Sequence, residues 1–153
     1  MSIEAKLTEL GIVLPDAPKP VAAYVPFVQS GDLVFTSGQI AIAGGEIKFK
    51  GKVGREFTPE EGYQAARLCA INTLAVLKAA AGSLDKVEQI VKVVVFVNSA
   101  AGFNAQPAVA NGASELYQQV FGEKGRHARS AVGAPELPLD TAVEVEVIAR
   151  IAK

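Results

Sequence analysis

Hydrophobic positions along this chain change period several times, and each change predicts an element. Ile3, Leu7 and Leu10 recur at helical spacing, which predicts a short amphipathic helix over residues 2–10, stopped by Gly11. Pro15, Pro18 and Pro20 then impose an extended connection. Residues 21–29 read as a first strand, broken or edged at Pro26 because proline cannot donate to a ladder. After a Ser30-Gly31-Asp32 turn, residues 33–40 read as the second strand of a hairpin, and a short third strand over 46–49 follows Gly44-Gly45. Thr58-Pro59-Glu60-Glu61 combines an N-cap, a first-turn proline and a capping-box glutamate, predicting a helix that runs to Ala81 and ends at Gly82. The β-branched run 87–97 predicts a central strand covered on at least one face. A second long helix is expected from Gln106, with Pro107 in its first turn, to Phe121-Gly122, weakened in the middle by Gly112. A strand through Arg129 and a last strand over 142–151 close the chain.

The order is β-β-(β)-α-β-α-β-β after a short N-terminal helix. It predicts an α+β fold, a mixed β-sheet with two helices packed on one face. The second sheet face needs cover; if apolar, it is expected to be buried in a symmetric oligomer. With no internal repeat and no linker, one domain over residues 1–153 is expected.

Composition narrows the function classes. Half of the 153 residues are hydrophobic, which suits a chain with a real core. A formal net charge of −1 argues against a nucleic-acid surface. Lys48, Lys50 and Lys52 alternate as on a solvated strand face. One cysteine, Cys69, lies within the first long helix and reads as a small core residue. With a single cysteine and a single histidine, an internal disulfide and a Cys/His zinc site are both excluded, and no metal is expected. No signal peptide and no bilayer-spanning run are visible, so a soluble, cytoplasmic protein without a membrane partner is expected.

The candidate chemistry centres on residues 125–133. In an extended strand His127, Arg129 and Ala131 share one face. Arginine grips a carboxylate with two parallel hydrogen bonds. The turn at Leu137-Pro138 is expected to return the chain so that Glu144 lies beside Arg129. The plainer reading of such a pair is a cross-strand ion pair on a solvated face.

Four features in order extend the picture: Tyr24, then Thr36-Ser37-Gly38-Gln39-Ile40, then Ala128-Arg129-Ser130-Ala131-Val132, then Leu137-Pro138 followed by Val143-Glu144-Val145-Glu146. With this element order the chain resembles the YjgF/RidA family over roughly residues 21–153. The resemblance implies a chorismate-mutase-like fold and a homotrimer with clefts between protomers. It implies hydrolysis of reactive enamines and imines such as 2-aminoacrylate to a 2-oxo acid and ammonia, without cofactor. Arg129 would bind the substrate carboxylate and Glu144 would serve the catalytic water, while Tyr24 and Gly38 would line the pocket. Holding the carboxylate, orienting one water and moving protons suffices for that reaction. A glutamate beside Arg129 would have its pKa pulled down.

The chain also departs from the family pattern. Ala131 stands where many members carry cysteine, which sets aside thiol chemistry. Ser114 stands where many carry asparagine, and its shorter side chain is expected to reach less far. The segment between Phe121 and Arg129 is shortened and contains His127, which either flanks Arg129 as a proton shuttle or sits on the surface. Residues 1–20 precede the usual family start, marking a divergent branch. Two further functions compete: a non-catalytic trimeric binding protein for small carboxylates, and, ranked last on charge, an endoribonuclease.

Overall fold

The computed structural model describes residues 1–20 and 23–153. Helix α1 spans Ile3–Glu9; strands β1 to β5 span Phe27–Ser30, Leu33–Thr36, Gln39–Ile40, Ile42–Ala43 and Glu46–Ile47. Helix α2 spans Pro59–Ala81, β6 Val87–Asn98, α3 Gln106–Phe121, β7 Ala128–Ala134 and β8 Val143–Ile151. The architecture is mixed α+β; apart from the short β3 and β4, which the hydrophobic pattern did not predict as separate strands, and the separate two-stranded sheet of β4 with β5, its elements follow the predicted order.

The main sheet runs β1-β2-β8-β6-β7, with β3 also pairing β8. All its pairs are antiparallel except β6 with β7, where Val93 stands opposite Arg129 and Phe96 opposite Val132. Burial alternates strictly along β8: Val143, Val145, Val147, Ala149 and Ile151 are buried, while the residues between them are half-buried or exposed. Helices α2 and α3 cover the buried face, and Leu74, Leu77, Val93, Val95, Leu116 and Tyr117 form the centre of the core. On the opposite face Val28, Phe35 and Val132 are exposed.

The capping signal at α2 is realised in full. Thr58 accepts from the Glu61 backbone N–H at 3.1 Å while the Glu61 side chain accepts from the Thr58 N–H at 3.1 Å. The helix ends at Gly82 with φ 81°, the left-handed region that glycine enters at least cost.

Gly112, which costs α3 helix propensity, is required by packing. A Cβ there would overlap the Tyr63 carbonyl oxygen of α2, so the two helices approach through a bare backbone contact. Gly112→Ala is therefore expected to destabilise by about 1–3 kcal/mol, although alanine favours the isolated helix. A urea midpoint at or above wild type would contradict that close approach.

Two strands differ from expectation. Residues 33–40 do not form one strand: the ladder breaks at Ser37-Gly38, where the Ser37 hydroxyl donates to the Val25 carbonyl at 2.6 Å and its N–H to Pro26. The first strand begins at Phe27, after Pro26; residues 21 and 22 lie outside the described residues. Among the described residues no helix is long and apolar enough to cross a membrane.

Candidate functional site

Arg129 is carried on β7, an edge strand that among the described residues pairs only with β6, and points to the helix side of the sheet in register with buried Val93. Its Nη1 donates to Asn111 Oδ1 at 2.8 Å and to Ser114 Oγ at 3.2 Å, both on α3 one turn apart. A guanidinium has five N–H donors, and Nη1 supplies two of them. Both are committed to neutral partners, which leaves the Nε–Nη2 edge without a hydrogen-bond partner among the described residues, and Arg129 lines an open cavity of about 390 Å³. Glu115, Gln118, Arg126 and His127 also line that cavity. That free edge is the geometry for a side-on bidentate grip on a carboxylate.

His127 lies immediately before β7 and is half-buried. Its Nδ1 is 2.7 Å from the Gly125 carbonyl oxygen and its Nε2 is 2.8 Å from Ser114 Oγ. Burial pushes its pKa down and Arg129 adds to that, against the Gly125 contact. Ser114 therefore reaches both Arg129 and His127, despite being shorter than asparagine. Asn111, which sequence reasoning passed over, supplies the amide from one turn earlier.

The other expected residues gather elsewhere. Glu144 on β8 lies against Gly38, where any Cβ would overlap its Oε1, so the glycine makes room for the carboxylate. Both border a cavity of about 320 Å³ with Tyr24, Ile40, Lys19 and Leu139. Tyr24 stands at its rim, 61% exposed. Leu139 and Asp140, each with φ 58°, hold a strained turn beside it. That turn is secured by Asn98, whose Nδ2 donates to Asp140 Oδ1 at 3.1 Å and to the Thr141 carbonyl at 3.2 Å. Asn98 Oδ1 in turn accepts from the Lys52 ammonium at 2.8 Å. Lys52 is thus a structural tie with a side chain only 12% exposed, and not part of a solvated lysine face as its alternation suggested.

Arg129 and Glu144 are not neighbours within one chain, which corrects the sequence expectation. Strand β6 lies between β7 and β8, and Glu144 stands in register with Phe96 and so with Val132, three residues beyond Arg129. Strand geometry then separates their Cα atoms by on the order of 14 Å. Their parity also differs: Arg129 faces the helices with Val93 and Val147, while Glu144 faces the open side with Phe96. The expected lowering of the glutamate pKa is likewise reversed. Burial raises the Glu144 pKa and Glu146 raises it further; Lys19 borders the same cavity, yet burial and Glu146 set the direction.

Cys69 is fully buried, its thiol donating to the Val143 carbonyl at 3.3 Å and its pKa pushed well up by burial. It packs in the core and cannot reach either cavity's chemistry. Among the described residues no three His, Cys, Asp or Glu side chains converge as metal ligands.

A family model described as "YjgF/chorismate_mutase-like, putative endoribonuclease" matches residues 4–151. The chain belongs to the YjgF/RidA family. Protein TCP17 of Trypanosoma cruzi is 45% identical over 150 residues, covering 97% of this chain and 94% of that one. The 2-iminobutanoate/2-iminopropanoate deaminase of Dermatophagoides farinae is 34% identical over 137 residues, covering 90% of this chain and 92% of that protein. A solved structure of a protein of unknown function from Agrobacterium tumefaciens, 46% identical, superposes with a TM-score of 0.92 over 98% of this chain and 92% of its own. The YjgF/RidA fold thus extends over nearly the whole chain, and the family contains deaminases of reactive imines as well as members without assigned chemistry.

Proposed function

We propose that this YjgF/RidA protein is an enamine/imine deaminase that hydrolyses 2-aminoacrylate-type intermediates to 2-oxo acid and ammonia. The observation that carries the reading is the guanidinium of Arg129, which lines an open cavity, is anchored by one nitrogen to neutral partners and has no partner for its Nε–Nη2 edge among the described residues. A cation prepared in this way lacks only an anion of carboxylate shape.

The cleft is completed between protomers of a homotrimer. Three features support this assembly: Arg129 lies on an open strand edge, Glu144 is half-buried with its pKa raised, and Val28, Phe35 and Val132 are large apolar side chains exposed on the uncovered sheet face. Docking the β7 edge of one protomer near the Glu144 cavity of the next would cover apolar surface and set the carboxylate clamp across one cleft from the half-buried glutamate.

In that cleft the substrate carboxylate rests on Arg129. The enamine gains a proton at its terminal carbon and becomes the iminium. Water attacks the iminium carbon as Glu144 takes one of its protons; Glu144 returns that proton to the carbinolamine nitrogen, ammonia leaves, and the hydroxyl gives up its proton as the 2-oxo acid forms. Cys69 takes no part in these steps.

Adding the protein to an enzyme that generates 2-aminoacrylate is expected to accelerate release of 2-oxo acid and ammonia. Its solution mass is expected near three times the 15.9 kDa protomer. Arg129-dependent carboxylate binding without acceleration would instead establish the non-catalytic binding protein, and a monomeric mass would overturn the shared cleft.

A further inference from the structure

The hydrogen-bond partners of His127 fix which way each proton points. A carbonyl oxygen only accepts, so the Nδ1 atom facing Gly125 at 2.7 Å carries a proton. In the neutral ring Nε2 must then accept, and the Ser114 hydroxyl 2.8 Å away is its donor. Ser114 Oγ meanwhile receives Arg129 Nη1 at 3.2 Å. In this state the only hydrogen of Ser114 points at the imidazole and none points at the cavity.

Protonating His127 reverses that bond. Nε2 becomes a donor, Ser114 Oγ accepts from both His127 and Arg129, and the hydroxyl hydrogen is free to turn toward the cavity that Ser114 and Arg129 both line. An anion on Arg129 would then meet an additional donor and a second nearby cation. We propose that Ser114 and His127 form a proton-linked relay behind Arg129, in which binding of a small carboxylate takes up a proton on His127. His127 is a positioning residue in this scheme, acting on the ligand through Ser114. The inference rests on the carboxylate-clamp reading of Arg129.

The groups around the ring favour a proton that arrives with the anion. From α3 come Glu115, whose carboxylate is held by the Tyr63 hydroxyl, and Tyr117, whose ring meets the imidazole edge-on at 5.8 Å. The Tyr117 hydroxyl is directed away to Thr73 Oγ1, 2.6 Å distant, and burial keeps it protonated. The turn before β7 brings Arg126, 3.7 Å from Glu123, and the strand brings Arg129. Burial first, and Arg129 after it, hold the His127 pKa down; a bound carboxylate cancels the second of these and raises the proton affinity of the ring. The sign follows: affinity is strongest at low pH and weakens as pH rises through the range between the free and ligand-bound pKa values.

His127 is the only histidine in the chain, so its ring nitrogens can be followed by long-range proton–nitrogen NMR without assignment. The neutral ring is expected to carry its proton on Nδ1. Adding 2-oxobutanoate is expected to raise the titration midpoint by at least about half a pH unit, with the Kd rising up to about tenfold per pH unit across the coupled range. His127→Asn, which keeps a donor near Gly125 but has no Nε2, should bind with an affinity almost independent of pH. His127→Gln, with a permanent donor toward Ser114, should bind with nearly the low-pH affinity throughout. An Nε2-protonated neutral ring, or Arg129-dependent binding with an unmoved midpoint, would overturn the relay and leave the clamp standing. Undiminished binding by Arg129→Ala, or no binding by wild type at about pH 5.5, would overturn both.

Discussion

Arg129→Ala is expected to reduce turnover of 2-aminoacrylate by about 10²- to 10³-fold and to abolish detectable binding of 2-oxobutanoate, because a bidentate charge-assisted contact is worth about 3–4 kcal/mol in a confined site. The fold should survive. The side chain is half-buried at a sheet edge, and its Nη1 partners are two neutral groups beside an open cavity. Truncation leaves Asn111 and Ser114 free to bind water, so the stability loss should stay near about 1 kcal/mol. Arg129→Lys separates charge from shape. An ammonium can replace the contact to Asn111 or the one to the ligand, but cannot hold both while presenting two parallel donors. It is expected to recover less than a tenth of the lost activity on the same order-of-magnitude scale. Isothermal titration with 2-oxobutanoate and the coupled ammonia assay measure both effects. Full activity in the folded alanine variant would remove Arg129 from the mechanism.

The sequence was most legible where signals are local. The Thr58–Glu61 capping box, Pro107 and the terminal glycines Gly82 and Gly122 placed both long helices, since each depends on contacts within one turn. The β-branched run over 87–97 placed β6, and alternation placed β8. Strand order was less legible. Sequence proximity suggested that β7 and β8 pair, but the longer, valine-rich β6 lies between them and pairs with both. Once that order is set, the parity of Arg129 and Glu144 puts them on opposite faces.

The candidate site split along the same line. Arg129, Ser114 and His127 do converge, through contacts across only 13 to 18 residues. Gly38 and Glu144 also converge, although joined by a pairing of distant strands, because the Ser37-Gly38 break opens space for the carboxylate. Asn111 could have been found by stepping back one helical turn from Ser114. Lys52 could not, because its partners Asn98, Pro135 and Glu136 are gathered by the tertiary fold alone.

Glu144→Gln is expected to lower turnover by about 10²- to 10⁴-fold with little change in 2-oxobutanoate affinity, the separation that marks a general base as distinct from a binding group. Glutamine keeps the size that fits against Gly38 but cannot take a proton from water. The pH profile supplies an independent check. The base acts when ionised, so activity should fall on acidification; within the protomer burial and then Glu146 raise its pKa, and a neighbouring Arg129 would oppose them. Glu146→Gln removes the second of those causes and should move the acid limb to lower pH, a direction that does not depend on what the neighbouring protomer brings.

The two inactive variants together also test how the cleft is built. If Arg129 comes from one protomer and Glu144 from the next, co-expressing Arg129→Ala with Glu144→Gln in equal amounts regenerates intact clefts wherever an arginine-bearing edge meets a glutamate-bearing cavity. Random assembly makes that about a quarter of all clefts. Each variant alone has none. A mixed preparation with about a quarter of wild-type activity would mean that the separation within one chain is bridged by assembly. Activity no higher than the sum of the parents would mean that the two residues do not share a cleft, and the half-buried glutamate would then need another explanation.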